Sequence, residues 1–478
     1  MRLKKNPPFP PAVFRRPVLA AAMLACLAGC TLTPVYQEPV LPLPAAFKEG
    51  SGWVPAVPAD DAARGAWWSV FNDPVLNQHA ESVQVSNQNV AAAAAAYAQA
   101  RALVAAQRAS LFPTVSLSAG ADRGSSANSS SVNSSGGQVR NSYQVGLGAS
   151  WEPDLWGRLR AGVDNAAATA QASSADLASA TLSAQGELVV NYLNLRETDV
   201  QSELLQATIA GYQRVQQITQ NRYDAGVIPK TDLLQAQTQL ASAQADQVGL
   251  QRQRAQLEHA IAVLIGKAPA DFSLSPAAWS PSVPDVPLVV PATLLQRRPD
   301  IAGAERRVAA ANAQIGIARA GYFPNIGLTA SYGYGASRVG DLFNASASAW
   351  SLGLSLAQRI FDAGAVSAQV AAARAVQERT AAQYRQTVLT AFQDVEDQLA
   401  ATRVLALQLD FRRAASTAAD QVEQQVLNRY RAGQVSYTEV VTAQATALQA
   451  RRTLAQLQAD RQVVAVALMQ ALGGGWQK

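Results

Sequence analysis

Chemistry-bearing side chains are scarce in this sequence. Its 478 residues include two cysteines, Cys26 and Cys30, two histidines, His79 and His259, and three methionines. Beyond residue 30 there is no thiol, which excludes an internal disulfide and any cysteine-based zinc or iron–sulfur site there. His79 and His259 share no motif, and no serine nucleophile elbow, phosphate loop or metal-ligand cluster occurs. The sequence therefore reads as a non-enzyme with no cofactor. Met469 is the one methionine after the first thirty residues, which leaves no thioether relay for Cu(I). Long apolar runs are also missing: after residue 30 no stretch reaches the ~18 apolar residues of a membrane helix. A membrane crossing by this chain would use strands of a closed barrel.

The net charge of +5 and the pI near 9.2 have a local origin. Residues 1–29 hold Arg2, Lys4, Lys5, Arg15 and Arg16 and no acid, and removing them leaves 34 basic and 34 acidic residues. The balanced remainder gives no basis for nucleic-acid binding. The basic stretch precedes an apolar core, Val18 to Leu27, too short to span a bilayer, which is the pattern of a secretory signal. It ends in Leu27-Ala28-Gly29-Cys30. This resembles a bacterial lipobox, in which the cysteine receives a diacylglycerol on sulfur and an N-acyl chain. Thr31 follows, where an Asp would mean retention at the inner membrane, so the resemblance implies a lipoprotein of the outer membrane.

What the sequence has in abundance is alanine, glutamine and serine, with aromatics at only 6%. Small and straight side chains favour long, closely packed helices. An internal repeat sets the architecture. Asn221-Arg222-Tyr223-Asp224-Ala225-Gly226 recurs as Asn428-Arg429-Tyr430-Arg431-Ala432-Gly433, 207 positions later, and Gly157 recurs as Gly364. Phe112-Pro113 recurs as Phe323-Pro324. Each half predicts a helix (74–110 and 299–321), two alternating strand-like segments, a very long helix (161–222 and 366–430), a glycine turn and a return helix (231–265 and 438–471). The strand segments are Thr114–Ser118, Tyr143–Gly148, Ile326–Ala330 and Ser351–Leu356, and residues 122–141 between the first pair read as a flexible loop. Val388, Phe392, Val395, Leu399, Thr402, Ala406 and Leu409 form a heptad seam. The expected division is a leader at 1–29, a lipid anchor and N-terminal equatorial segment at 30–70, and a first repeat at 71–266. A Pro-rich equatorial linker at 267–297, a second repeat at 298–472 and a tail at 473–478 follow. Four strands cannot close a membrane barrel, which needs about eight or more, so the chain must assemble with copies of itself.

The lipobox, the tandem halves and three motifs together resemble the TolC-type outer-membrane factors, in their lipoprotein branch (NodT-like or OprM-like). The motifs are Leu294-Leu295-Gln296-Arg297-Arg298-Pro299-Asp300-Ile301, Tyr223-x-x-Gly226 with Asp232-Leu233-Leu234-Gln235-Ala236-Gln237, and Tyr430-x-x-Gly433 with Glu439-Val440-Val441-Thr442-Ala443-Gln444. The resemblance covers essentially all of residues 30–478. It implies an α+β, mostly α fold: long antiparallel coiled-coil helices, a small mixed equatorial domain, and four strands per chain in a twelve-stranded barrel. It implies a homotrimer in outer-membrane lipid that meets a periplasmic adaptor protein and, through it, an inner-membrane pump of the resistance-nodulation-division type. The implied function is passive efflux of small molecules such as drugs. A protein-secretion conduit and a structural coiled-coil lipoprotein without a pore are the alternatives.

The same resemblance places the turns Tyr223–Asp232 and Tyr430–Glu439 at the periplasmic aperture. Asp232 and Glu439 are the implied acidic constriction, where a ring of like charges attracts cations. A second acidic ring is not implied, because Gln235 and Thr442 occupy the next positions. Arg222 and Arg429 would hold the closed state or engage the adaptor, with Tyr223 and Tyr430 beside them and Gly226, Gly433, Val227 and Val435 at the adaptor-contacting turns. Read without the family, the glycines are helix C-terminal residues with positive φ. The two acids equally suit the first turns of the return helices, and Arg297-Arg298 is a structural anchor before a helix.

Overall fold

The computed structural model describes residues 32–41, 47–49, 65–126, 138–284 and 297–474. The leader and Cys30 lie outside them, as do 127–137 of the expected loop and Leu294 to Gln296 of the first motif. Seven α-helices and four strands follow in order: α1 (Pro74–Ser86), α2 (Gln88–Ala109), β1 (Thr114–Ser126), β2 (Gln138–Trp151), α3 (Arg158–Asp224), α4 (Lys230–Leu264), α5 (Pro299–Ala320), β3 (Asn325–Ala336), β4 (Ser348–Ala357), α6 (Ala365–Arg431) and α7 (Tyr437–Ala471).

The helix expected over 74–110 is two helices. Asn87 separates them because its side chain serves both sides of a break. Its Oδ1 accepts from Asn89 and Val90 N–H at 2.9 and 3.1 Å, capping α2, and its Nδ2 donates to the Leu264 carbonyl at 2.8 Å. Asp73 caps α1 in the same way, accepting from Val75 and Leu76. The strands run longer than expected, at 13, 14, 12 and 10 residues. Residues 122–126 and 138–141, expected as loop, extend β1 and β2 and pair in register from Asp122↔Ser142 to Ser126↔Gln138. The described parts of the Pro-rich linker, 267–284 and 297, hold a short 3-10 turn at Pro269–Asp271 and extended chain, with no strand.

The molecule has two compact units, and each takes matching pieces of both sequence repeats. The first contains 99–171, 306–382 and the N-terminal segment. It holds one antiparallel sheet in the order β1-β2-β3-β4. Trp156 stacks on Phe323 with centroids 4.8 Å apart and donates its indole N–H to the Pro324 carbonyl at 2.8 Å. This fixes the Phe-Pro step that leads into β3. The second unit contains 39–98, 172–305 and 383–478. Its core gathers Trp67, Trp68, Leu76, Val83, Leu188, Tyr192, Leu195, Ile261 and Met469. A polar network ties the 272–284 segment to it. Arg196 pairs with Asp199 at 3.2 Å and donates to the Ser275 carbonyl at 2.9 Å, and Arg254 pairs with Asp199 at 2.7 Å. Glu258 receives the Leu274 N–H. Arg298 anchors the start of α5, meeting Asp300 at 2.9 Å, Asp394 of α6 at 3.2 Å and the Ala471 carbonyl that ends α7 at 3.2 Å.

Candidate functional site

Two surfaces are candidates for function: the faces of the sheet, and the paired turns that end the long helices. On the sheet, alternation and register sort the side chains over the half next to the helices. Val115 and Leu117 of β1, Val145, Leu147 and Trp151 of β2, Ile326, Leu328 and Tyr332 of β3, and Trp350, Leu352, Leu354 and Leu356 of β4 share one face. Leu352 is 76% exposed and Val115 and Leu117 71%, so this is an uncovered apolar surface far beyond the scattered apolar residues of a soluble protein. The opposite face is small and polar: Ser116, Ser118, Gly146, Gly148, Ser150, Thr329, Ser331, Ser351 and Ser355. Hydroxyls there meet across strands, Thr114 with Ser150 and Ser331 with Ser351, each at 2.8 Å. Aromatic residues stand at both ends of the apolar face. Phe112, Trp151, Tyr322 and Phe323 lie beside the helical end, and Tyr332 and Trp350 lie further along the strands. This is the layout of a membrane β-sheet with one lipid face and one water face. Among the described residues its outer strands, β1 and β4, have no partner on their free edges.

At the end of each long helix the backbone follows the same path. Gly226 and Gly433 have φ of +72° and +74°, the left-handed conformation that ends a helix without a Cβ penalty. Val227 N–H reaches back to the Arg222 carbonyl and Gln434 N–H to the Arg429 carbonyl, both at 2.9 Å. Asp232 and Glu439 then fall in the first turns of α4 and α7, where the helix dipole favours a carboxylate. The Glu439 carboxylate also accepts the Ser436 N–H at 3.4 Å, completing a capping box, whereas Pro229 before α4 gives no side-chain cap.

The side chains, however, are not equivalent. Tyr430 is 4% exposed, packed against Tyr437 at 5.6 Å in a cluster with Val215, Ala236 and Val440, and Val435 sits at its margin. Tyr223 is 36% exposed and Val227 also faces outward. Arg222 joins the two turns by placing its guanidinium 5.1 Å from the Tyr430 ring centroid. Arg429 is exposed and has no ion pair among the described residues. Gln235 and Thr438 approach at 3.5 Å between α4 and α7. Burial pushes the Tyr437 hydroxyl up to about 12, helped by Tyr430, Tyr212 and the negative charge of Asp232. Tyr437 was not anticipated from sequence. The signal was present in the repeat, since its counterpart 207 residues earlier is Lys230, an aromatic-for-charge exchange that marks a buried contact. Deeper in the same hairpin Arg451 bridges Asp420 and Glu423, both at 2.7 Å, pinning α7 to α6. Glu439, Ser436, Thr442 and Thr446 line a groove of about 410 Å³ with Val422 and Val426. Among the described residues no group of acids, histidines or cysteines is placed to hold a metal, and no helix is long and apolar enough to cross a membrane.

Known proteins match this chain over most of its length. The outer membrane efflux protein family matches at residues 80–267 and 290–474. A probable efflux pump outer membrane protein of Pseudomonas putida, TtgC, is 33% identical over 454 residues, covering 94% of this chain and 93% of its own. The pyoverdine export outer membrane protein OpmQ of Pseudomonas putida is 32% identical over 416 residues, 86% of this chain and 88% of its own. Among solved structures, the outer-membrane channel OprN superposes with a TM-score of 0.83 at 31% identity, covering 94% of this chain and all of that one. The open MtrE channel of Neisseria gonorrhoeae gives 0.80 at 29% identity, with 93% and 98% covered. A membrane sheet with opposed faces, a duplicated pair of helical hairpins and these matches leave one conclusion: the chain belongs to the outer membrane efflux protein family and is an outer-membrane efflux channel, not an enzyme.

Proposed function

We propose that three copies of this chain close a twelve-stranded barrel, with β4 of one copy pairing with β1 of the next, and that the barrel passes small drug-like or solvent-like molecules. The single observation that carries this reading is the four-stranded sheet, apolar on one face and small and polar on the other, with both edges unpaired among the described residues. Open edges of 13 and 10 residues invite pairing. Relatives named for toluene and for solvent efflux, each 33% identical, support the substrate class. Cys30 carries the N-acyl and diacylglycerol lipid. A periplasmic adaptor docks on the turn region, where the groove beside Glu439 and the outward Val227 and Tyr223 offer surface. A pump of the resistance-nodulation-division type supplies the energy, since a passive conduit has no source of its own.

In this reading Asp232 and Glu439 from symmetric copies surround the axis and favour cations. Capping and gating coexist, because the first turn of a helix is a favourable place for a carboxylate whichever way the channel uses it. The test is single-channel recording of detergent-purified protein in planar bilayers. Ion current is expected, and its absence rejects the conduit. The Asp232→Ala/Glu439→Ala protein should lose cation preference; unchanged reversal potentials would remove these residues from the constriction. Intact mass of wild type against Cys30→Ser reads the lipid directly.

A further inference from the structure

Beside the helical end of the sheet lies a second cavity, of about 410 Å³, that the channel function does not use. Its walls are Arg319, Tyr322 and Phe323 at the end of α5, Val370 and Arg374 on α6, and Leu32 of the N-terminal segment. That segment is held in place. Asn312 Nδ2 donates to the Pro34 carbonyl at 2.8 Å and Arg319 donates to the Leu32 carbonyl at 3.3 Å. Gly316 lets the chain pass, since a Cβ there would strike Thr33.

We propose that this cavity binds the phosphodiester headgroup of a glycerophospholipid from the inner leaflet of the outer membrane. The charge fits. Two guanidinium groups face it, no acid lines it, and among the described residues neither Arg319 nor Arg374 meets a carboxylate. A planar guanidinium donor suits phosphate oxygens, and two of them suit an anionic headgroup best. The level fits as well. α5 ends at Ala320 and β3 begins at Asn325, so the cavity sits at the rim where the apolar belt starts. Tyr322 and Phe323 are exposed there, as aromatics are at a membrane interface. Ser367, Val370, Ala371 and Arg374 form one stripe of α6, so Val370 and Ala371 give the cavity an apolar wall beside its arginines that suits the glycerol. The volume exceeds what a bare phosphate fills, being on the order of a dozen waters at ~30 Å³ each. The thioether-linked diacylglycerol of Cys30 contains no phosphate and leaves the two arginines unexplained. The site therefore rests on the membrane placement of the sheet and not on acylation.

The test is native mass spectrometry of the full-length protein, titrated with phosphatidylglycerol and separately with inorganic phosphate. Wild type should bind phosphatidylglycerol. Arg319→Gln/Arg374→Gln should weaken it about tenfold or more, the loss of a charge-assisted hydrogen bond. Ala371→Trp, at an exposed helical position, keeps both arginines and fills the cavity, and should weaken binding as much. Cys30→Ser should bind the lipid as wild type does, and phosphate should not displace it. Equal lipid binding by the wild type and both cavity variants overturns the proposal. Displacement by phosphate alone overturns it in favour of a free-anion site, and loss of the lipid in Cys30→Ser overturns it in favour of the protein's own anchor. Outer-membrane fractionation of the wild type checks the membrane placement separately.

Discussion

A single arginine placed on β4 should report the depth and facing of the sheet. Along an antiparallel strand each residue advances about 3.4 Å. With a strand tilt of about 45°, a belt ~25 Å tall has its midplane roughly five residues above its lower edge. Counting from Ala357 at the helical end, that residue is Leu352, which is 76% exposed on the apolar face. Leu352→Arg should therefore destabilise the folded channel in lipid by about 2–4 kcal/mol, the penalty for a cation at mid-bilayer. That is roughly a 30- to 700-fold shift in the folding equilibrium. Leu356→Arg, one residue from the lower edge, should cost about 0–1 kcal/mol. Ser351→Arg projects to the other face, where its loss is the 2.8 Å hydroxyl contact with Ser331, and should be nearly neutral. The assay is urea unfolding in lipid vesicles, read by tryptophan emission. Equal penalties at Leu352 and Ser351, or a greater penalty at Leu356 than at Leu352, would refute the assignment of the lipid face.

Two further predictions concern the helical unit. Burial, reinforced by the 2.5 Å hydrogen bond its hydroxyl donates to Asp73, pushes Tyr192 up to about 12. Below about pH 10 the phenol is neutral whether folded or unfolded and adds no pH dependence. Between about 10 and 12 only the unfolded chain gives up its proton, so stability falls as pH rises, at about 1.4 kcal/mol per pH unit. Tyr192→Phe should flatten this alkaline limb in pH-dependent denaturation; an unchanged slope would contradict the burial argument. Arg298→Met should lower stability by about 2–3 kcal/mol, less than a fully buried pair because Asp394 is half exposed and reaches water once unpaired. An unchanged urea midpoint would show that this anchor contributes nothing.

Much of this architecture was legible in the sequence because long periodic elements announce themselves. The helices expected over 161–222 and 366–430 are present as α3 and α6, and the alternating segments all became strands. What escaped was decided by partners distant in the chain. The break at Asn87 depends on a carbonyl 177 residues away, which no local pattern reveals. The ends of β1 and β2 around Asp122 and Ser142 are polar and glycine-rich like a loop, and pairing across the ladder makes them strand. At the turns, the repeat implied that Tyr223 and Tyr430 are alike. Tyr437 breaks that likeness by giving one of them a buried neighbour, while Lys230 leaves the other in the open.

The two long helices have 67 residues each and the two return helices 35 each. At about 1.5 Å per residue the long rods measure roughly 100 Å, and the match between halves is a ruler shared by two parts of one gene. Adding or removing a heptad in one hairpin alone would shift its turn by ~10 Å past the other and separate Arg222 from Tyr430. Length changes in such a duplicated channel must then arrive in pairs, so its reach is quantised by the need for both halves to lengthen together.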